Sequence, residues 1–147
     1  MLKTAGCIIT VAVGAALGIR AADRLRSRYK KLLSHYLYIG EISDLMRTGA
    51  PLEEVFASNS AKGLIISEGY RVRVVCDDLN RDDRRLLSEF FSGLGMGDLD
   101  AGIARCATYR ELLYKRVSDA EQEMKQKSRI YSLLGLFSGI VTAILFI

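Results

Sequence analysis

Few residues in this chain have the type and spacing that chemistry requires. His35 is the only histidine, and no cysteine or serine stands at a spacing from it that would make a nucleophile and base pair, so it reads as a surface residue of a basic segment. The three cysteines, Cys7, Cys76 and Cys106, have no metal-ligand spacing and read as free thiols of a reducing cytoplasm. Asp77, Asp78, Asp82 and Asp83 crowd one stretch but lack the spacing of a calcium loop, so helix capping and solvation account for them. The run from Gly93 through Gly95 and Gly97 to Asp98 has the glycine content of a phosphate loop. It lacks the preceding strand and the Lys-Ser/Thr pair, and a helix-loop-helix turn fits it better. These patterns predict no catalytic group, no metal and no cofactor.

The elements that would position any site are set by charge. Met1 to Ile19 contains only Lys3 among charged residues, and Ile130 to Ile147 contains none. Roughly 17 to 25 apolar residues in a helix span a bilayer, so residues 1–19 and 130–147 are expected to be transmembrane helices around a central domain of residues 20–129. A cleaved secretory signal is the rival for the first. Against it, Arg20, Arg24, Arg26, Arg28, Lys30 and Lys31 follow directly, and such a cluster resists translocation. Lys125, Lys127 and Arg129 precede the second apolar run, so both flanks of the central domain are cationic and the domain is expected in the cytoplasm. Residues 32–120 hold eleven Lys/Arg against fourteen Asp/Glu. The basic excess therefore sits where anionic headgroups lie, which argues against a nucleic-acid partner.

Leu25, Tyr29, Leu32, Tyr36, Ile39, Ser43 and Met46 recur at alternating steps of four and three, as do Leu99, Ile103, Cys106, Arg110, Leu113, Val117, Ala120 and Met124. Each series is a heptad seam. Gly49 and Pro51 end the first helix near Thr48 and open another, and Asp98 is placed to cap the second. The fold class expected is all-α: a membrane-anchored bundle whose two long antiparallel helices continue into the terminal spans. Shorter helices are expected near 51–58 and 82–93, with a further short helix over Leu64–Cys76.

Gly6, Thr10, Gly14, Gly18 and Ala22 fall at every fourth residue, as do Gly135, Gly139 and Ala143. Small residues at that period let helices approach closely in lipid. Gly14, Gly18, Gly135 and Gly139 are accordingly the expected packing residues.

The chain also resembles a known family. Leu79 and Asn80, then Asp83, Leu86 and Phe90, then Leu94-Gly95 with Gly97-Asp98, a charged helix carrying Tyr109, Leu112 and Ala120, and the run from Lys127 to Gly135 before Gly139 together resemble the stage III sporulation protein AB family. The basic run Arg24–Arg28 and the break at Gly49–Glu53 add to the likeness, which covers roughly residues 1–57 and 77–147. The resemblance implies a multi-pass protein of the mother-cell membrane around the forespore, with a cytoplasmic domain similar to that of type II secretion platform proteins. It implies a non-enzymatic platform or assembly subunit of a secretion-like complex, working beside a secretion-type ATPase and other membrane proteins; a homo-oligomer is a separate expectation. Asp82 and Asp83, at the start of a distal helix, are the expected partner surface. A membrane-tethered coiled-coil adaptor or signalling protein is the alternative from another class.

Overall fold

Pro51 is the only proline, so nothing in the first 47 residues removes a backbone donor, and in the computed structural model they form one helix, α1 (Leu2–Arg47). The structure describes residues 2–57, 63–68, 71–75 and 78–145. After α1 come α2 (Leu52–Ala57), β1 (Ile65–Glu68), β2 (Arg71–Val74), α3 (Arg81–Gly93) and α4 (Leu99–Leu145). Helices carry the fold. The two long ones pack on one another, and α3 is the shorter third.

Helix boundaries follow local chemistry. Gly49 takes a positive φ of 79°, while its N–H donates to the Met46 carbonyl at 3.0 Å and that of Ala50 to the Leu45 carbonyl at 3.1 Å. This paired closure satisfies the last carbonyls of α1, and glycine is the residue that adopts it without strain. At the start of α4 the Ala101 N–H donates to Asp98 Oδ1 at 2.9 Å, which makes Asp98 the N-cap expected for α4. α2 begins directly after Pro51 with Glu53 and Glu54 in its first turn, where carboxylates meet the positive end of the helix dipole.

Of the helix expected over Leu64–Cys76, the described segments Ile65–Glu68 and Arg71–Val74 depart from expectation. In place of a short helix, β1 and β2 form an antiparallel hairpin that pairs Ile65 with Val74 and Ile66 with Arg73. Ile65 and Val74 are buried while Ile66 and Arg73 are exposed, the period of two that a half-buried strand requires. The β-branched content of both segments favours this state. The partner strand was within reach in sequence, immediately before Gly69. β2 packs on α3.

The chain divides into two compact units, residues 28–119 and residues 1–27 with 120–147. In the first, α1 buries Leu32, Ile39 and Met46 of its seam, and α4 buries Cys106, Leu113 and Val117. α1 also buries His35, Tyr38 and Ile42, a broader stripe than one partner helix needs. The reason is α3, whose Leu87, Phe90 and Phe91 are buried: the Phe91 ring lies 6.2 Å from that of Tyr38 and 6.5 Å from that of His35. Arg110, on the predicted seam of α4, instead lays its guanidinium over the Tyr36 ring at 5.1 Å.

The second unit pairs the start of α1 with the end of α4. Ala22, Ala120 and Ser128 are buried there. Among the described residues no helix is long and apolar enough to cross a membrane. The expected spans 1–19 and 130–147 fall on these helix ends and include residues outside the described set.

Candidate functional site

Glycines bring the two helices of the second unit together. A Cβ placed on Gly18 would stand 2.6 Å from the Tyr131 carbonyl oxygen and 3.2 Å from Gly135 Cα, and one on Gly135 would stand 2.6 Å from the Gly14 carbonyl oxygen. Gly14, Gly18 and Gly135 thus lie in one backbone contact that no side chain could enter. Gly139 belongs to α4, but its surroundings lie outside the described residues. Around this contact most of the exposed side chains described are apolar, among them Leu17, Ile19, Leu133, Leu134, Phe137 and Ile144, with Ser138 a polar exception. A helix pair in water has the reverse layout, with apolar groups inside and polar groups outside.

Asp82 and Asp83 do not share a surface. Asp82 is exposed, whereas Asp83 is fully buried and accepts a hydrogen bond from Arg28 Nε at 2.9 Å. Arg116 Nη1 stands 3.9 Å from its other oxygen, which has no hydrogen-bond partner. Successive helical residues point about 100° apart, and the α3 face that buries Leu87 and Phe90 takes Asp83 with it. A buried carboxylate of this kind holds α1, α3 and α4 in register. It cannot meet a partner, and its bond to Arg28 sets the start of α3 beside the basic run of α1 rather than at the distal end expected for it, so the expected two-aspartate surface reduces to Asp82.

His35 is also corrected from surface to core. It is fully buried, and neither ring nitrogen has a hydrogen-bond partner. Burial first, and the charge of Lys31 second, push its pKa down to about 4, so the ring is neutral near pH 7 and packs as an aromatic against Phe91. A ring whose pKa is pushed this low accepts a proton poorly near pH 7.

The glycine-rich run is the turn between α3 and α4. Gly95 and Gly97 have φ of 92° and 130°, values closed to most side chains. Arg105 reaches back from α4 to donate from Nε to the Phe90 carbonyl at 3.3 Å and from Nη2 to the Glu89 carbonyl, closing the C-terminal end of α3. A side chain at Gly93 would collide with that guanidinium. Sequence reading found the turn but missed Arg105, whose partners are backbone carbonyls and leave no motif. A cavity of about 310 Å³ beside the turn is lined by Met46, Met96, Leu99 and Arg105, among others. Its one carboxylate, Asp98, is engaged as the α4 cap through the Ala101 N–H.

Cys106 is a free, buried thiol, and burial pushes its pKa up to about 11, which leaves almost no reactive thiolate at neutral pH. Cys7 and Cys76 lie where no side chain is described. Among the described residues no group of His, Cys, Asp and Glu could hold a metal ion.

One unit of two helices in glycine contact, and another in which a buried ion pair ties α1 to α3, define an essentially all-helical architecture. Residues 75–147 match the family model of stage III sporulation protein AB, and the chain belongs to that family. Membership implies a function in sporulation. The likeness read in residues 1–57 falls outside the match. No curated protein matches the chain, and no solved structure does.

Proposed function

We infer that the protein is a non-enzymatic platform subunit of a sporulation-specific, secretion-like membrane complex between mother cell and forespore. Its two helix ends anchor it in the mother-cell membrane, and its central domain faces the cytoplasm. The observation that carries this reading is the layout of the glycine-paired unit, with backbone contact inside and Leu17, Leu134, Phe137 and Ile144 turned outward. Apolar side chains on the outside suit lipid, where close backbone approach rather than apolar burial drives helix pairing. The absence of any charge from Ile130 to Ile147 and the cationic flanks support the same orientation.

In this reading the central domain receives a secretion-type ATPase and neighbouring membrane proteins of the same complex, with Asp82 on the contacting surface. Exposed charges steer association without holding the fold. The test is capture of the ATPase by the membrane-inserted full chain during sporulation. Asp82→Lys is expected to lower capture and spore yield at unchanged membrane level. Failure of the wild-type chain to capture any ATPase would favour a membrane-tethered adaptor instead.

A further inference from the structure

The geometry points to a binding site for the phosphate of an anionic phospholipid between α1 and α4, in a groove of about 520 Å³ lined by Arg26, Met124, Lys125, Ser128 and Arg129. This rests on the membrane-anchored reading above.

Three of the five lining residues are cations supplied by two helices. Lys125 is paired with Glu121 at 2.6 Å, whereas the carboxylate nearest Arg26, that of Asp23, stands 4.0 Å away with both side chains about 60% exposed, so the two arginines carry the site. Contacts of the Asp23 kind contribute little in solvent. Two guanidinium groups facing one groove suit a phosphate, which each can engage through two parallel N–H donors.

Position selects lipid over a soluble phosphate. Exposed apolar residues stand singly elsewhere on the long helices, as at Leu37 and Leu112, but cluster densely on α4 from Ile130 through Leu133, Leu134 and Phe137, one residue past Arg129, and on α1 over Val13, Leu17 and Ile19, just before Arg20. A phosphate in the groove would lie at the border between charged and apolar surface, with acyl chains free to run along Ile130 and Leu134. Basic pockets between helices at the cytoplasmic border are where anionic headgroups are held.

The experiment uses the full chain purified in detergent, where no bilayer surface potential contributes, and reads retained lipid by native mass spectrometry. Phosphatidylglycerol is expected to remain bound and phosphatidylcholine to be lost. Arg26→Gln combined with Arg129→Gln should lower phosphatidylglycerol retention about fivefold or more. The charge-matched pair Arg24→Gln with Lys127→Gln, outside the groove, should retain it. Equal retention of the two lipids, or full retention by the groove variant, would overturn the site while leaving anchoring intact if the chain still resists alkaline extraction from membranes. Displacement by inorganic phosphate would assign the groove to a soluble anion and overturn the lipid assignment. Release of the wild-type chain by alkaline extraction would remove the anchoring itself, and the lipid site with it.

Discussion

Arg28 Nε and Asp83 Oδ2 lie 2.9 Å apart, with side chains 11% and 0% exposed, and they join residues 55 positions apart. Breaking a buried pair by removing one partner costs about 3–5 kcal/mol, because the other charge stays buried and unpaired. Asp83→Ala is therefore expected to destabilise the central domain by about 3 kcal/mol or more, and Asp83→Lys, which sets a third cation beside Arg28 and Arg116, to prevent folding. Asp82→Ala should stay within about 0.5 kcal/mol of wild type, as exposed substitutions do. Chemical denaturation of the full chain in detergent, followed by circular dichroism, separates the two aspartates.

His35 gives the stability a pH dependence of known sign. Its folded pKa lies near 4, below the ordinary value of 6.5, so the unfolded chain binds a proton that the folded chain refuses. Above pH 6.5 both forms are neutral and nothing is lost. As pH falls from 6.5 to 4 the folded state loses up to about 3 kcal/mol through this group, and below pH 4 the loss levels off. His35→Phe should remove that part of the slope while leaving stability near pH 7 within about 1.5 kcal/mol. Denaturation midpoints at pH 7, 5.5 and 4.5 for both chains measure it.

Two effects compete at Gly135. Replacing a helical glycine by alanine favours the helix by about 1 kcal/mol, but here the added methyl would stand 2.6 Å from the Gly14 carbonyl oxygen. Overpacking of that kind costs about 1–3 kcal/mol, so the collision wins and Gly135→Ala should separate the helix pair. A disulfide engineered between α1 and α4 near Gly18 should form readily in the parent and slowly in the variant. Gly135→Leu should abolish it.

The cap of α4 offers a smaller effect. Asp98 Oδ1 accepts from the Ala101 N–H, and losing such a cap costs about 1 kcal/mol. Asp98→Ala should lower stability by that amount and Asp98→Ser by much less. Hydrogen exchange at Ala101 and Gly102 reports the fraying directly.

Much of this architecture was legible in the sequence because it depends on local rules. Gly49 and Pro51 punctuate α1 and α2, Asp98 caps α4, and the fourfold spacing of Gly14, Gly18 and Ala22 marks a face that approaches another backbone. Heptad spacing found Leu32, Ile39, Cys106 and Leu113. It did not find His35 and Tyr38, whose burial depends on α3 lying across α1, a contact between segments about fifty residues apart. Asp83 was misread for the same reason, since its partner Arg28 sits in a basic run that reads as a membrane flank. The hairpin at Ile65–Val74 was missed because each strand has only four residues, too few for periodicity to decide.

In the anchored arrangement proposed above, the exposed Leu134 and Phe137 face lipid while the exposed Met96 faces the cytoplasm. Cysteines can be placed singly at these positions after Cys7 and Cys76 are changed to serine, and Cys106 can stay because its buried thiol is unreactive. A membrane-impermeant maleimide applied to intact mother cells should label none of the three. After lysis it should label Met96→Cys within minutes and leave Leu134→Cys and Phe137→Cys protected until detergent dissolves the bilayer. Rapid labelling of Leu134→Cys in undissolved membranes, or of Met96→Cys in intact cells, would contradict the account.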